Sequence, residues 1–413
     1  MSFHIHRLEN GLTILGEQAP QARSVAVGLF VRAGSRDEPG NVSGVSHFLE
    51  HMAFKGSEKR TAEQVNQDFD RIGADYNAFT SEEATVYHAA VLPEYLPEAV
   101  DIVSGLLRPV LRQEDFEMEK KVIINEIGRY EDMPHWAAYD LAKTKYFGEH
   151  NLGKSILGTP QSITAMTREE MAAYHAHRYV GPNITMVVTG QYDWGRVVEL
   201  AERHCGGWPT GDAPRTGADE APGGSAVHVV HKPKVAQQYV VLMSPGPAAA
   251  STMRYAADLL SMAVGDDSGS RLYWELVDPG LAESAYCSFH EYEGTGLFYT
   301  SLTCEPEKAA SNLGVLYKAL AEVQNKGVTE EELERAKSKL LSRMVRGSER
   351  PRGRLAPVGM CWMYQGEYRS ADEEIRRYEA VRLRDIQDVL QRYPLTSQTV
   401  LALGPLEKLD VPG

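Results

Sequence analysis

Val45-Ser46-His47-Phe48-Leu49-Glu50-His51-Met52 places two imidazoles and a carboxylate in one short run. On an α-helix, residues four apart lie one turn above each other on the same face, so His47 and His51 can both reach one cation. Neutral imidazoles and tetrahedral geometry suit zinc, and a hydrolytic zinc site keeps one position open where water becomes acidic. Glu50, one residue before the second histidine, is placed to take the proton; the order His-x-x-Glu-His is the inverse of the commoner zinc-peptidase arrangement. A third donor would strengthen this reading. Residues 115–130, Asp-Phe-Glu-Met-Glu-Lys-Lys-Val-Ile-Ile-Asn-Glu-Ile-Gly-Arg-Tyr, read as a helix with Glu119 and Glu126 seven apart, two turns along one face. Val122, Ile123 and Ile127 supply apolar contacts there, and a carboxylate on an apolar helix needs a partner.

His-Phe-Leu-Glu-His-Met-Ala-Phe-Lys-Gly from His47, then Asn77-Ala78-Phe79-Thr80-Ser81, then Glu119 and Glu126 together resemble the pitrilysin family of zinc peptidases. Within it the chain is most similar to the β-subunit of the mitochondrial processing peptidase and its short bacterial relatives. The resemblance runs over nearly the whole chain. It implies zinc ligands at His47, His51 and Glu126, a catalytic base at Glu50 and a supporting carboxylate at Glu119. It also implies that the strand carrying Asn77, Ala78 and Phe79 receives substrate as an added strand. An exposed strand edge offers backbone hydrogen bonds to any extended peptide without reading its side chains. An ordinary edge strand with an asparagine in a turn is the plainer alternative.

The 413 residues, 43% hydrophobic and 24% charged, are enough for two ordinary domains. A formal charge of -14 argues against a nucleic-acid partner, because phosphate binding wants clustered Lys and Arg. Cys205, Cys287, Cys304 and Cys361 are widely spaced, which indicates neither a disulfide framework nor a cysteine metal site and fits a reducing compartment. The N-terminus shows no signal or transit peptide, and no stretch approaches the length of a membrane-spanning helix. A soluble, cytoplasmic protein of bacterial type is the expectation.

Residues 4–16 and 24–34 read as strands that pair with one another, with a turn at Asn10-Gly11. Residues 73–80 and 84–91 read as a hairpin, and helices are expected over 62–72, 94–107 and 114–130. Residues 206–226 are a Gly/Pro-rich linker, after which the chain starts again. Arg178-Tyr179 followed by Thr185–Gly190 is echoed 214 residues later by Arg392-Tyr393 followed by Thr399–Gly404, the mark of a duplicated domain. The expected division is 1–205, a metal-binding half; 206–226, the linker; and 227–413, a metal-free half. The fold class is α+β; the resemblance implies that each half packs helices on one face of a mostly antiparallel sheet and that the halves enclose a cavity. Laid over the first half, the second sets Ala257 against His47, Leu260 against Glu50, Ser261 against His51, Ala336 against Glu119 and Arg343 against Glu126. It has lost every metal group. The other histidines lack a second ligand at helical or hairpin spacing, save His4 and His6, which share a strand face and are given no role.

The expected function is zinc-dependent metalloendopeptidase action on peptides or unfolded polypeptides, with a non-catalytic structural or partner subunit of the same fold as the alternative. The resemblance also implies an Arg and a Tyr, seven apart in the second half, that reach the substrate near the metal. Glu275-Leu-Val-Asp-Pro-Gly-Leu-Ala-Glu-Ser284 occupies that stretch, with Glu283 where the Tyr would be. A dimer follows as an expectation, and a heterodimer with a metal-free sister chain would restore the missing donors.

Overall fold

The structure is a computed structural model that describes residues 2–215 and 225–411. Its first sheet holds β1 (Ser2–Arg7), β2 (Thr13–Gln18), β3 (Val25–Val31), β4 (Asp75–Thr80), β5 (Thr85–Val91) and β6 (Ile184–Gly190). Their order across the sheet is β1-β2-β6-β3-β5-β4. The second holds β7 (Ala226–His231), β8 (Gln238–Gly246), β9 (Ser284–Glu291), β10 (Gly296–Cys304) and β11 (Thr399–Gly404) in the order β7-β11-β8-β10-β9. Only β2/β6 and β7/β11 are parallel; every other pair is antiparallel. The echoed strands fill the same slot: β6 is parallel to β2 and antiparallel to β3, as β11 is to β7 and β8.

The hairpin expected over 73–91 is β4/β5, in register from Asp75↔Ala90 to Thr80↔Thr85. The expected pairing of 4–16 with 24–34 does not occur. The chain turns at Gly11, φ +91, so that β1 and β2 pair with each other, and β6 lies between β2 and β3. The cause is burial. Every residue of β6 is buried whereas β1 is mostly exposed, so the strand apolar on both faces takes the centre and the polar one an edge.

One compact unit consists of Met1–Gly128, Lys154–Thr216 and Val345–Arg369, the other of Arg129–Gly153, Gly217–Met344 and Ser370–Gly413. This grouping departs from a continuous division at 205 and 227, because each sheet borrows a helix from the other half of the sequence. In the first unit most helices lie on one face, and helix Pro351–Gln365 covers the other, placing Leu355 and Val358 on Ala26, Phe30 and Val187. The approach is close: a Cβ on Gly359 would stand 2.5 Å from the Phe30 ring. Arg354 adds a buried two-pronged ion pair with Glu17, both contacts 2.7 Å. In the second unit helix Pro134–Phe147 covers the equivalent face, with Ala138, Ala142 and Tyr146 on Val241, Met243 and Leu401. Each Val, Leu, Phe or Met side chain withdrawn from water there contributes about 1.5–3 kcal/mol, so leaving either face bare would be costly.

Over its described part the expected linker is mostly exposed but anchored at a few points. Trp208 and Ala213 are buried, and Arg215 reaches Asp37 and Glu83; residues 216–224 lie outside the described residues.

Candidate metal centre

Helix Val45–Ala53 begins at Gly44, whose φ of +90 suits glycine and whose missing side chain leaves room for the Leu157 carbonyl, 2.7 Å from where a Cβ would be. Val45, Phe48, Leu49 and Met52 form an apolar stripe at helical spacing and are buried, which leaves His47, Glu50 and His51 on another face. Two N–H groups at the start of the helix, one at the cap and one in the first turn, are taken by a residue with no signal in the motif. The buried Glu38 carboxylate accepts from the backbone of Gly44 at 2.7 Å and Ser46 at 2.8 Å. Phe48 stacks on Phe116 at 4.8 Å, locking this helix to helix Gln113–Glu131 and setting Glu119 and Glu126 opposite the histidines.

The donor atoms of His47, His51 and Glu126 all lie within 4.8 Å of one another. Glu126 Oε2 stands 3.4 Å from His51 Nε2 and 3.8 Å from His47 Nε2. Donors about 2.0–2.2 Å from a zinc ion at tetrahedral angles stand about 3.3–3.6 Å apart, so this set fits the ion with small adjustments. Three protein donors leave a fourth position for water or substrate. Behind them, Glu119 Oε1 lies 2.8 Å from His51 Nδ1, and its Oε2 lies 2.5 Å from Lys55 Nζ. With Nδ1 held by Glu119, His51 turns Nε2 toward the site, where a metal ion would take the place of a proton.

The electrostatics follow from burial and crowding. Burial, then the neighbouring His51, lowers His47 to about 4, so its lone pair is free. Burial also works against charge on His51, yet hydrogen bonds to Glu119 and Glu126 and their charges outweigh it and raise His51 to about 9. Burial raises Glu119 too, but His51 and Lys55 hold it below the ordinary carboxylate value. Burial raises Glu50, opposed by a 2.6 Å hydrogen bond from Thr80 Oγ1 to its Oε2. The cluster therefore holds two imidazoles and the Glu126 carboxylate, each of which would gain from a cation, with the Glu50 and Glu119 carboxylates beside them.

β4 is the last strand of its sheet and pairs on one side, with β5. Asn77 and Phe79 alternate outward and are exposed, while Ala78 points to the core and is buried. Asn77 Oδ1 accepts from the Ala78 N–H at 2.9 Å.

The sequence profile of the insulinase family, peptidase family M16, matches residues 13–160, and that of the peptidase M16 inactive domain matches residues 165–340. An uncharacterized zinc protease of Mycobacterium leprae is 31% identical over 96% of this chain and 91% of its own length. Another, from Bacillus subtilis, is 30% identical over 96% of each. The chain belongs to the insulinase family. Solved structures carry the same fold at lower identity: a protease from Helicobacter pylori has a TM-score of 0.88 at 22% identity, over 97% of this chain and 99% of its own. A chain of complex III from Candida albicans has 0.85 at 16% identity, over 98% and 97%. The inactive-domain profile runs from the end of the first half into the second, whereas the profile named for the peptidase covers the residues that carry the donors.

Three further residues bear on this site. Thr80 lies two residues after Ala78, and strand parity puts it on the same inward side, which is the signal that could have found it. Lys55 lies four residues after His51, just past the end of the metal helix, and pairs with the same Glu119 that orients the His51 ring. Glu38 had no local signal at all. Among the described residues no helix is long and apolar enough to cross a membrane.

Proposed function

We propose that this chain is a zinc-dependent metalloendopeptidase acting on peptides or unfolded polypeptides, with His47, His51 and Glu126 as metal ligands and Glu50 as general base. The observation that carries this reading is the spacing of the three donors, close enough for one ion and one short of a closed site, with a base in the same helix. A zinc ion held by His47, His51 and Glu126 would supply Lewis acidity, making bound water acidic near neutral pH. Glu50 takes the proton from the attacking water and later gives it to the leaving amine; its raised pKa brings it nearer to neutrality, where both transfers are easier. Glu119 fixes the His51 ring. Asn77, Ala78 and Phe79 offer the open edge of β4 to an extended substrate.

The test is zinc content by direct metal analysis, with peptidase activity before and after chelation and after zinc is returned. Absence of both bound zinc and zinc-restored turnover would sink the proposal. A non-catalytic subunit would have no reason to keep His47, Glu50, His51 and Glu126 together.

The reading extends to a partner. Glu283 stands where the family resemblance places a Tyr, and it accepts from Gln237 Nε2. Tyr286 is partly exposed, but its hydroxyl is donated to Tyr299 at 3.1 Å. We therefore propose a dimer in which a metal-free sister chain supplies the missing donors. Robust turnover by the purified chain alone would overturn the requirement; weak activity restored by a sister chain would support it.

A further inference from the structure

Glu50 does not stand free in its helix. Thr80 Oγ1 lies 2.6 Å from Glu50 Oε2, and an ionised carboxylate only accepts, so the hydroxyl donates. Hydrogen bonds to a charged acceptor at this distance are among the stronger ones. Thr80 is β-branched, which restricts the side chain to few rotamers and gives its hydroxyl a fixed direction.

The backbone at Thr80 is held by its pairing with β5 and by the turn that follows. It ends β4, paired with Thr85, and the next residue closes a tight turn: Ser81 N–H donates to the Ala84 carbonyl at 2.8 Å, and the Ala84 N–H donates to Ser81 Oγ at 3.1 Å. The segment before the metal helix grips this turn from outside. Arg36 N–H donates to the Glu82 carbonyl at 2.8 Å, and Arg36 Nη1 pairs with Glu83 at 2.6 Å with both side chains buried. Arg215, from the linker, donates to the Glu83 carbonyl at 2.7 Å and pairs with Asp37 at 2.9 Å. Gly34 leaves no room for a side chain against this turn, since a Cβ there would stand 2.3 Å from the Ser81 carbonyl oxygen. The hydroxyl that touches the base is thus fixed by groups that do not touch it.

We infer that Thr80 is a positioning residue for Glu50: it holds one carboxylate oxygen, leaves the other for proton transfer, and ties the base to the strand on which substrate would be added. This rests on the reading of Glu50 as general base. Asn77, Ala78 and Phe79 immediately precede Thr80 on β4, so a peptide seated along that edge lies on the same backbone that orients the base. Seating and proton transfer then share one rigid reference. A base misplaced by about 1 Å can cost about 100-fold in rate, which is why such a tether matters.

The experiment compares Thr80→Val, which keeps the shape without the donor, with Thr80→Ser, which keeps the donor, in the full zinc-loaded chain with whatever partner it requires. The expected result for Thr80→Val is a fall in kcat of about 10–100-fold with KM within about 2-fold and zinc content unchanged. Thr80→Ser should return kcat to within about 3-fold of wild type. A readout independent of turnover uses the metal-free protein: carbodiimide labelling of Glu50, followed by mass spectrometry, should be several-fold faster in Thr80→Val than in Thr80→Ser. Thr80→Val with normal kcat, a loss borne by KM alone, or failure of Thr80→Ser to rescue would each overturn the inference. Should Thr80→Val fold poorly, Thr80→Ala repeats the comparison. Glu50→Gln separates the two levels: if it still turns over, the base itself is misassigned, whereas if it is inert while Thr80→Val is normal, only the tether is wrong.

Discussion

The two halves build the same pair of helices and use it in opposite ways. In the first, helix Val45–Ala53 and helix Gln113–Glu131 face one another with His47, His51, Glu119 and Glu126 between them. In the second, among helices Arg254–Gly265 and Glu330–Ser348, the residues that the sequence sets against His47, Glu50 and His51 are Ala257, Leu260 and Ser261, all buried. Arg343, set against Glu126, pairs instead with Asp266 at 2.8 Å, joined by Lys339 at 2.7 Å. One interface gathers lone pairs that a cation would satisfy, and the other is already satisfied by apolar packing and cross-helix ion pairs. The echoed arginines diverge likewise: Arg178 is buried against Asp37 at 3.2 Å, while Arg392 is exposed. The scaffold therefore fixes where side chains meet, and the chemistry depends on which side chains are placed there.

The contrast breaks most completely at the base. Glu50→Gln should lower kcat by about 10²–10⁴-fold while keeping zinc, because the amide preserves shape but cannot accept the proton; steady-state kinetics with metal analysis checks both. Next come the ligands. Glu126→Ala or His51→Ala should abolish stoichiometric zinc, whereas Glu119→Ala should weaken affinity by about 10–100-fold, as competition with a chromogenic chelator would measure. A Glu126→Ala protein that binds zinc like wild type would move the third ligand elsewhere.

The support of the metal helix is a smaller but distinct effect. Glu38→Ala leaves two N–H groups at the start of the helix without their acceptor and should destabilise the fold by about 1–3 kcal/mol in urea melts. Burial lifts the Glu38 carboxyl from 4.5 to about 8, against the pull of the Ser46 and Gly44 N–H groups. The folded chain then binds this proton more tightly than the unfolded chain does. Its contribution is most favourable below pH 4.5 and declines as pH rises through about 8. Wild type should lose stability across that window relative to Glu38→Gln; parallel melts at several pH values would show it. The smallest effect belongs to the second half. Arg343→Ala removes a half-exposed ion pair and should cost at most about 1 kcal/mol, with zinc content unchanged.

What the sequence by itself determined is local and periodic. A helix of 3.6 residues per turn obliges His47 and His51 to share a face and puts Glu119 and Glu126 two turns apart on one side, whatever surrounds them. The alternation of 75–91 sets the β4/β5 hairpin, and an echo at 214 residues needs no coordinates to mark a duplication. Other features have no such period. That β6 enters between β2 and β3, that helices Pro134–Phe147 and Pro351–Gln365 cover sheets in the opposite halves, and that Arg215 grips the turn behind Thr80 all join residues far apart in the chain. Such contacts are selected by competition for burial and for hydrogen-bond partners over the whole molecule, and only the tertiary structure decided them.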